Sequence, residues 1–194
     1  SALGSNVLQI RPGQNVGPGG GTGDVPPPFK LADVDAVREQ IGGVIAVAGQ
    51  AQTAGTAVRN AQNWSTTVNG TNNDYFVAQK WAVTKGRTFT TAEEQAGNSV
   101  CVIGTTIEKN LFQNVEPVGQ MFRIKGVSCI VIGVLATRGQ SGFGGDQDDT
   151  VIMPIKAVQR QMTGNQDVRA IMAGVDPTYD SAAIQKSIVA LLRE

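Results

Sequence analysis

Between residues 100 and 154 the apolar side chains come in short unbroken runs: Val100-Cys101-Val102-Ile103, then Val131-Ile132-Gly133-Val134-Leu135, then Val151-Ile152-Met153 closed by Pro154. A run of that length suits a strand covered on both faces, although length alone leaves a buried helical turn open. Between the second and third runs lies Gly139-Gln140-Ser141-Gly142-Phe143-Gly144-Gly145-Asp146-Gln147-Asp148-Asp149. Two strands therefore flank a loop in which one aromatic sits among glycines and acids.

Outside that segment the periodicity changes. Val7-Leu8-Gln9-Ile10 alternates as a short strand does and stops at Pro12-Gly13. Residues 13–28 hold six glycines, four prolines and almost no apolar side chains. Such a composition cannot repay the entropy of ordering, so the stretch reads as a mobile loop. Leu31, Val34, Val37 and Ile41 line one stripe of a helix that Gly42-Gly43 ends and that packs on a sheet. Residues 44–48, 53–58 and 65–70 are β-prone, and Asn73-Asp74 can cap a short helix. Thr91 with Glu94, and Thr105 with Glu108, have capping-box spacing and predict two further short helices. A hairpin joins residues 121–124 to 128–135 across Lys125-Gly126-Val127. Residues 155–162 are helical and 167–175 a strand, with Asp176-Pro177 opening a last helix striped by Ile184, Ile188, Leu191 and Leu192. The fold class is α+β with two lobes. A βαβ-type lobe is built from both chain ends, residues 1–85 and 155–194, and a smaller mixed lobe, residues 86–154, is inserted in it.

Charge and composition exclude several functions. Sixteen Lys and Arg balance sixteen Asp and Glu, which leaves no long-range field to draw in nucleic acid. Histidine is absent, and with it the commonest general base, metal ligand and neutral-pH switch. The segment reads as non-catalytic. Its longest strongly apolar run, residues 129–136, falls far short of the roughly 20 residues a membrane helix needs. Residues 1–10 lack the basic start and apolar middle of a signal peptide.

Four groups of residues invite chemistry. The glycines of residues 13–23 suggest a phosphate cradle, but no Walker lysine follows and the next helix starts too late. Asp146, Asp148 and Asp149 suggest a hard cation, yet lack the closing glutamate of a calcium loop, and loop acids more often cap turns. Glu93 and Glu94 point about 100° apart on a helix and make a poor acid/base pair. Cys101 and Cys129 sit in strand cores, either bridged in an oxidising compartment or buried as free small hydrophobes. A fifth feature concerns contact rather than chemistry. Phe143 on its permissive backbone makes Gln140, Ser141, Gly142, Phe143, Gly144 and Asp146 candidates for a partner interface or hinge, the alternative being a ring folded back on its own lobe.

Leu3-Gly4-Ser5-Asn6 with Arg11-Pro12-Gly13, Asn63-Trp64-Ser65-Thr66-Thr67-Val68-Asn69-Gly70, Gly86-Arg87-Thr88-Phe89, Asn110-Leu111-Phe112 followed by Pro117-Val118-Gly119-Gln120, and residues 131–149 together carry a family pattern. In these motifs the chain resembles the periplasmic domain of MacB-type ABC transporters, with related lipoprotein-releasing transporters sharing the general plan. The resemblance implies a porter-like larger lobe and an inserted subdomain, held in the periplasm by transmembrane helices of an inner-membrane protein. It implies no cofactor in this segment, ATP and Mg being bound by a separate cytoplasmic domain. It also implies a homodimer that works with a periplasmic adaptor of the MacA type and an outer-membrane exit duct of the TolC type, coupling ATP hydrolysis to efflux of macrolides, peptides or toxins. A second reading makes the segment a solute-binding domain that selects substrate between its lobes through Trp64, Trp81, Tyr75 or Phe76. The long glycine/proline stretch and the two cysteines depart from the family pattern.

Overall fold

The computed structural model describes residues 6–13 and 26–193. The Leu3-Gly4-Ser5 motif and nearly all of the glycine/proline stretch, with the loop and phosphate readings placed on it, lie outside the described residues. In chain order the first elements are β1 (Val7–Ile10), α1 (Leu31–Gln40), β2 (Val44–Arg59), β3 (Gln62–Thr71), α2 (Asp74–Gln79), β4 (Val83–Gly86) and α3 (Thr91–Ala96). There follow β5 (Val100–Ile103), α4 (Thr105–Ile107), β6 (Met121–Ile124), β7 (Val127–Leu135), β8 (Val151–Pro154), α5 (Ile155–Val158), β9 (Ala170–Val175) and α6 (Ser181–Leu192). The chain divides into two compact units, each discontinuous: residues 1–50, 74–80 and 166–194, and residues 51–73 and 81–165. The division differs from the boundaries at 85/86 and 154/155 read from sequence. The residues of β2 past Gln50, with β3 and α5, find their partners among the central strands.

In the first unit β9 lies between β1 and the start of β2 and is antiparallel to both. Since β1 and β2 run the same way with α1 linking them, the unit is a split βαβ arrangement. Strand alternation sorts the side chains. Ile10, Ile171, Ala173 and Val47 share one face, and there Gly49 leaves room for Val34 of α1 and for Val168. Ala46 and Met172 occupy the other face, packed against Ala78 of α2. At the start of α2 the Asp74 carboxylate accepts the Val47 N–H at 3.0 Å and faces Arg38, tying the helix to β2. Asp176 does not open α6, because its carboxylate is engaged with the Thr178 N–H and hydroxyl. Four residues on, Asp180 caps the helix by accepting the Ala182 N–H.

The second unit closes a barrel. Its strands pair in the ring β2-β3-β8-β5-β7-β6, and β6 returns to β2 at Ala57–Ile124 and Val58–Arg123. Closure removes the free edges that an open sheet would present. The two halves interleave. The β2–β3 hairpin is later followed by β5, and the β6–β7 hairpin by β8, but β3 pairs in parallel with β8, and β7 with β5. β5 and β8 are buried along their whole length, as their continuous apolar runs led us to expect. Each is followed by a short helix that widens into a π-helical turn, Glu108–Phe112 after α4 and Gln159–Thr163 after α5. Both turns stop at a residue of positive φ, Gln113 at +52° and Gly164 at +74°. The expected Thr105 cap is absent, since Gly104 precedes α4 without a side-chain bond. The cap of α3 is Thr90 with Glu93, one residue earlier than the Thr91/Glu94 spacing suggested.

The candidate docking loop

The loop from Ala136 to Thr150 joins β7 to β8 within the second unit, and its base is held from several sides. The Trp81 indole N–H donates to the Ala136 carbonyl at 2.8 Å, and the Arg138 guanidinium lies 4.4 Å from the Trp81 ring centroid. Asp148, 3% exposed, accepts the Arg138 and Gly139 amides on its two carboxylate oxygens, each at 2.8 Å. Asp146 accepts the Asp148 N–H and the Thr106 hydroxyl. Asp149 accepts the Trp64 indole N–H at 3.0 Å and the Thr66 hydroxyl at 2.7 Å. The three carboxylates thus diverge onto three sets of protein donors, which is turn-capping chemistry. Among the described residues no group of three or more potential ligands is placed to hold a metal. Gly104 completes the base. A Cβ there would lie 2.0 Å from the Asp148 carbonyl oxygen, so the backbones approach as only glycine permits.

Above this base the loop is a small hairpin. Gln140 bridges Asp146, the Ser141 N–H donates to Gly145 O at 2.7 Å, and the Gly144 N–H returns to Ser141 O at 3.0 Å. The Ser141 hydroxyl accepts the Phe143 and Gly145 amides. Gly144 takes φ +89°, a value that disfavours any side chain. Phe143 stands at the tip, 102% exposed. Of the six interface candidates read from sequence, all lie in this hairpin or at its foot. The ring folded back on its own lobe is not what the structure contains.

The other singled-out residues are placed elsewhere. Glu93 pairs with Arg87 through two hydrogen bonds of 2.8 and 3.0 Å, while Glu94 accepts the Asn73 N–H. The Arg87 guanidinium, helped by the Thr90 amide, holds the Glu93 carboxyl down at about 2. Cys101 and Cys129 are free thiols, fully buried. Trp64 and Trp81 serve the loop base, whereas Tyr75 and Phe76 belong to the first unit, packed edge to face. An apolar groove bounded by Arg87, Val118, Ile130 and Ile132 has one ionisable side chain in its lining, that of Arg87. What sequence reasoning missed is the anchoring set of Trp64, Thr66, Trp81 and Thr106. Its only sequence signal is the presence of donors without an obvious acceptor.

The backbone resembles extracytoplasmic domains of ABC-type transporters. It matches the extracellular domain of the noncanonic ABC-type transporter YknZ from Gram-positive bacteria with a TM-score of 0.77, at 22% identity over 97% of this chain and 93% of that one. The periplasmic region of MacB from Actinobacillus actinomycetemcomitans matches with a TM-score of 0.81, at 22% identity over 98% and 84%. The model of the MacB-like periplasmic core domain matches residues 1–191. The macrolide export ATP-binding/permease protein MacB of Rhodospirillum rubrum is 34% identical over 99% of the chain, and that of Bdellovibrio bacteriovorus 33% identical over 100%. The chain belongs to the family of MacB-like periplasmic core domains, as its motifs had implied. It spans 29% and 30% of the lengths of those two relatives. Among the described residues no helix is long and apolar enough to cross a membrane.

Proposed function

We propose that this domain is the contact and coupling module of a MacB-like efflux transporter of the inner membrane. It docks a periplasmic adaptor of the MacA type through the Ser141–Gly144 turn and relays movement driven by ATP, bound with Mg in a separate cytoplasmic domain. The adaptor leads to an outer-membrane duct of the TolC type, and the full transporter is a homodimer. The observation that carries this reading is Phe143, a wholly exposed aromatic on a turn whose base is fixed by three carboxylates. An aromatic anchor that is already positioned loses little conformational freedom on binding, which is what a hot spot requires.

The test is Phe143→Ala in the complete transporter, with adaptor affinity, efflux and ATP turnover measured together. Weakened adaptor binding and lost efflux with ATP turnover retained support the reading. Unchanged adaptor affinity and unchanged efflux remove the turn from it.

A further inference from the structure

The docking loop is bonded to a stretch where the chain passes from one unit to the other. Residues 74–80, which include α2, belong to the first unit, and residue 81 resumes the second. Just past that crossing, Trp81 and Ala82 grip Ala136, the first residue of the loop, by both of its backbone groups. The Ala136 N–H donates to the Ala82 carbonyl at 2.9 Å, and the Ala136 carbonyl accepts the Trp81 indole N–H at 2.8 Å. The Trp81 ring, buried, also carries the Arg138 guanidinium at 4.4 Å, while the Arg138 amide is fixed on Asp148. Just before the crossing, Lys80 follows α2 with φ +53° and donates its N–H to the Val77 carbonyl at 3.1 Å. A residue with a Cβ keeps that conformation only while its surroundings impose it. The topology sets the same two segments in equivalent roles. Residues 72–99 join the β2–β3 hairpin to β5 as the loop joins the β6–β7 hairpin to β8, so the two connections are counterparts in the interleaved halves.

We propose that Trp81 is a positioning residue that couples the docking loop to the Lys80–Trp81 crossing, so that a shift of the loop is felt at the end of α2. The inference deepens the docking reading, on which it rests for what moves the loop. Three contacts on two consecutive residues carry it. Trp81 keeps its N–H on Ala136 and its face on Arg138 only while both loop residues hold their places, and a rigid indole has two side-chain torsions with which to follow them. Displacement of the loop base therefore breaks those contacts or draws the Trp81 backbone along. The planar peptide between Lys80 and Trp81 passes the displacement on, because the chain yields at φ and ψ alone. Lys80, held at positive φ, is the residue whose dihedrals change most readily once that hold slackens. The other end of α2 is fixed away from the loop. There the Asn73 carboxamide exchanges two hydrogen bonds with the Phe89 backbone, at 2.7 and 3.1 Å, and the Asn73 N–H donates to Glu94. The influence of the loop thus enters α2 from its C-terminal end, and by linkage a fixed crossing favours the fixed loop.

The experiment is a double-mutant cycle read by hydrogen exchange on the 194-residue chain, with no adaptor present. Asp148→Ala loosens the loop base, and the Lys80 amide reports the crossing. With Trp81 in place, Asp148→Ala speeds Lys80 exchange roughly five- to tenfold. In a Trp81→Leu background the same change speeds it less than about twofold. The Ala173 amide of β9 stays within about twofold in every variant, so the response is not a general loosening of the first unit. Arg138→Ala approaches the same contact from the exposed side of the ring and weakens the Lys80 response, while Arg138→Lys restores part of it, as a ring that merely filled space would not allow. An undiminished Lys80 response in Trp81→Leu, or an equal acceleration at Ala173, overturns the proposal. If Trp81→Leu does not fold, an undiminished response in Arg138→Ala overturns it instead. Adding the adaptor afterwards separates the two readings. A coupled cycle in a chain that binds no adaptor upholds the coupling and refutes the docking, whereas an additive cycle refutes the coupling even where the adaptor binds.

Discussion

Replacing Asp148 by alanine tests whether the docking loop is held in place or merely lies there. The carboxylate takes two backbone amides, those of Arg138 and Gly139, both at 2.8 Å. Both residues are half-buried, so stranding each amide costs about 1–1.5 kcal/mol, and the pair about 2–3 kcal/mol. With about 1.4 kcal/mol per decade, the loop base opens roughly 30- to 150-fold more often. Hydrogen exchange at the Gly139 amide reads that change directly, and adaptor affinity falls with it even though Phe143 is untouched. Asp148→Asn separates charge from shape. A carboxamide offers one oxygen and turns an NH2 group toward the second amide, so it loses at least half of the protection. If the Gly139 amide in Asp148→Ala exchanges within threefold of the native rate, the carboxylate is not what holds the loop and the clamp argument fails.

Three further outcomes follow from the same contacts. Phe143→Ala leaves the melting temperature within about 1 °C, because the ring buries nothing in the free domain, while adaptor affinity drops roughly ten- to hundredfold; a clear loss of stability would show that the ring packs somewhere. Gly104→Ala drives a methyl into the Asp148 carbonyl oxygen and destabilises by roughly 1–3 kcal/mol in a urea titration, whereas a neutral effect would show that the two backbones part freely. Glu93 supplies a pH dependence with a definite sign. Its carboxyl is held at about 2 against an ordinary value of 4.5, chiefly by the Arg87 hydrogen bonds, so its contribution is complete above about pH 4.5 and is lost as pH falls toward 2. Arg87 is 51% exposed and Glu93 13%, and solvent screening reduces the effect to about 1–2 kcal/mol. Glu93→Gln should flatten the acid limb of the stability curve by that amount, and an unchanged acid limb would place the effect in another carboxylate.

How far the sequence could be read depended on the range of each interaction. The buried strands β5 and β8 were legible because cover on both faces leaves an unbroken apolar run, a signal contained in four residues. The aromatic at the loop tip was legible as a candidate because glycines flank Phe143, but whether its ring stood free or folded back was decided only by the structure. β2 was read as two stretches, residues 44–48 and 53–58, with Gly49 in the gap between them, but that glycine sits where the side chains of Val34 and Val168 press on the strand. A local rule cannot tell a glycine that ends a strand from one that makes room beside it. Asp176 and Asp180 pose the same problem, since both have a capping side chain and only the engagement of Asp176 with Thr178 decides between them.

The ring of the barrel and the clamp of the loop were beyond reach for a different reason. Closure depends on the pairing of Ala57 with Ile124, and the Asp149 anchor on Trp64 and Thr66, contacts between residues 67 and more than 80 positions apart that leave no periodic trace. The acids of the loop were visible as acids, and read in isolation they resembled an incomplete cation site. Their function follows from the geometry of donors brought from β3 and from the start of α4. Those donors exist at the site because the two barrel halves interleave, setting β3 beside β8 and the end of β5 beneath the loop. An exposed aromatic becomes a usable anchor only on a base of this kind, so the interleaved pairing that the sequence conceals is what gives the legible part of the site its stiffness.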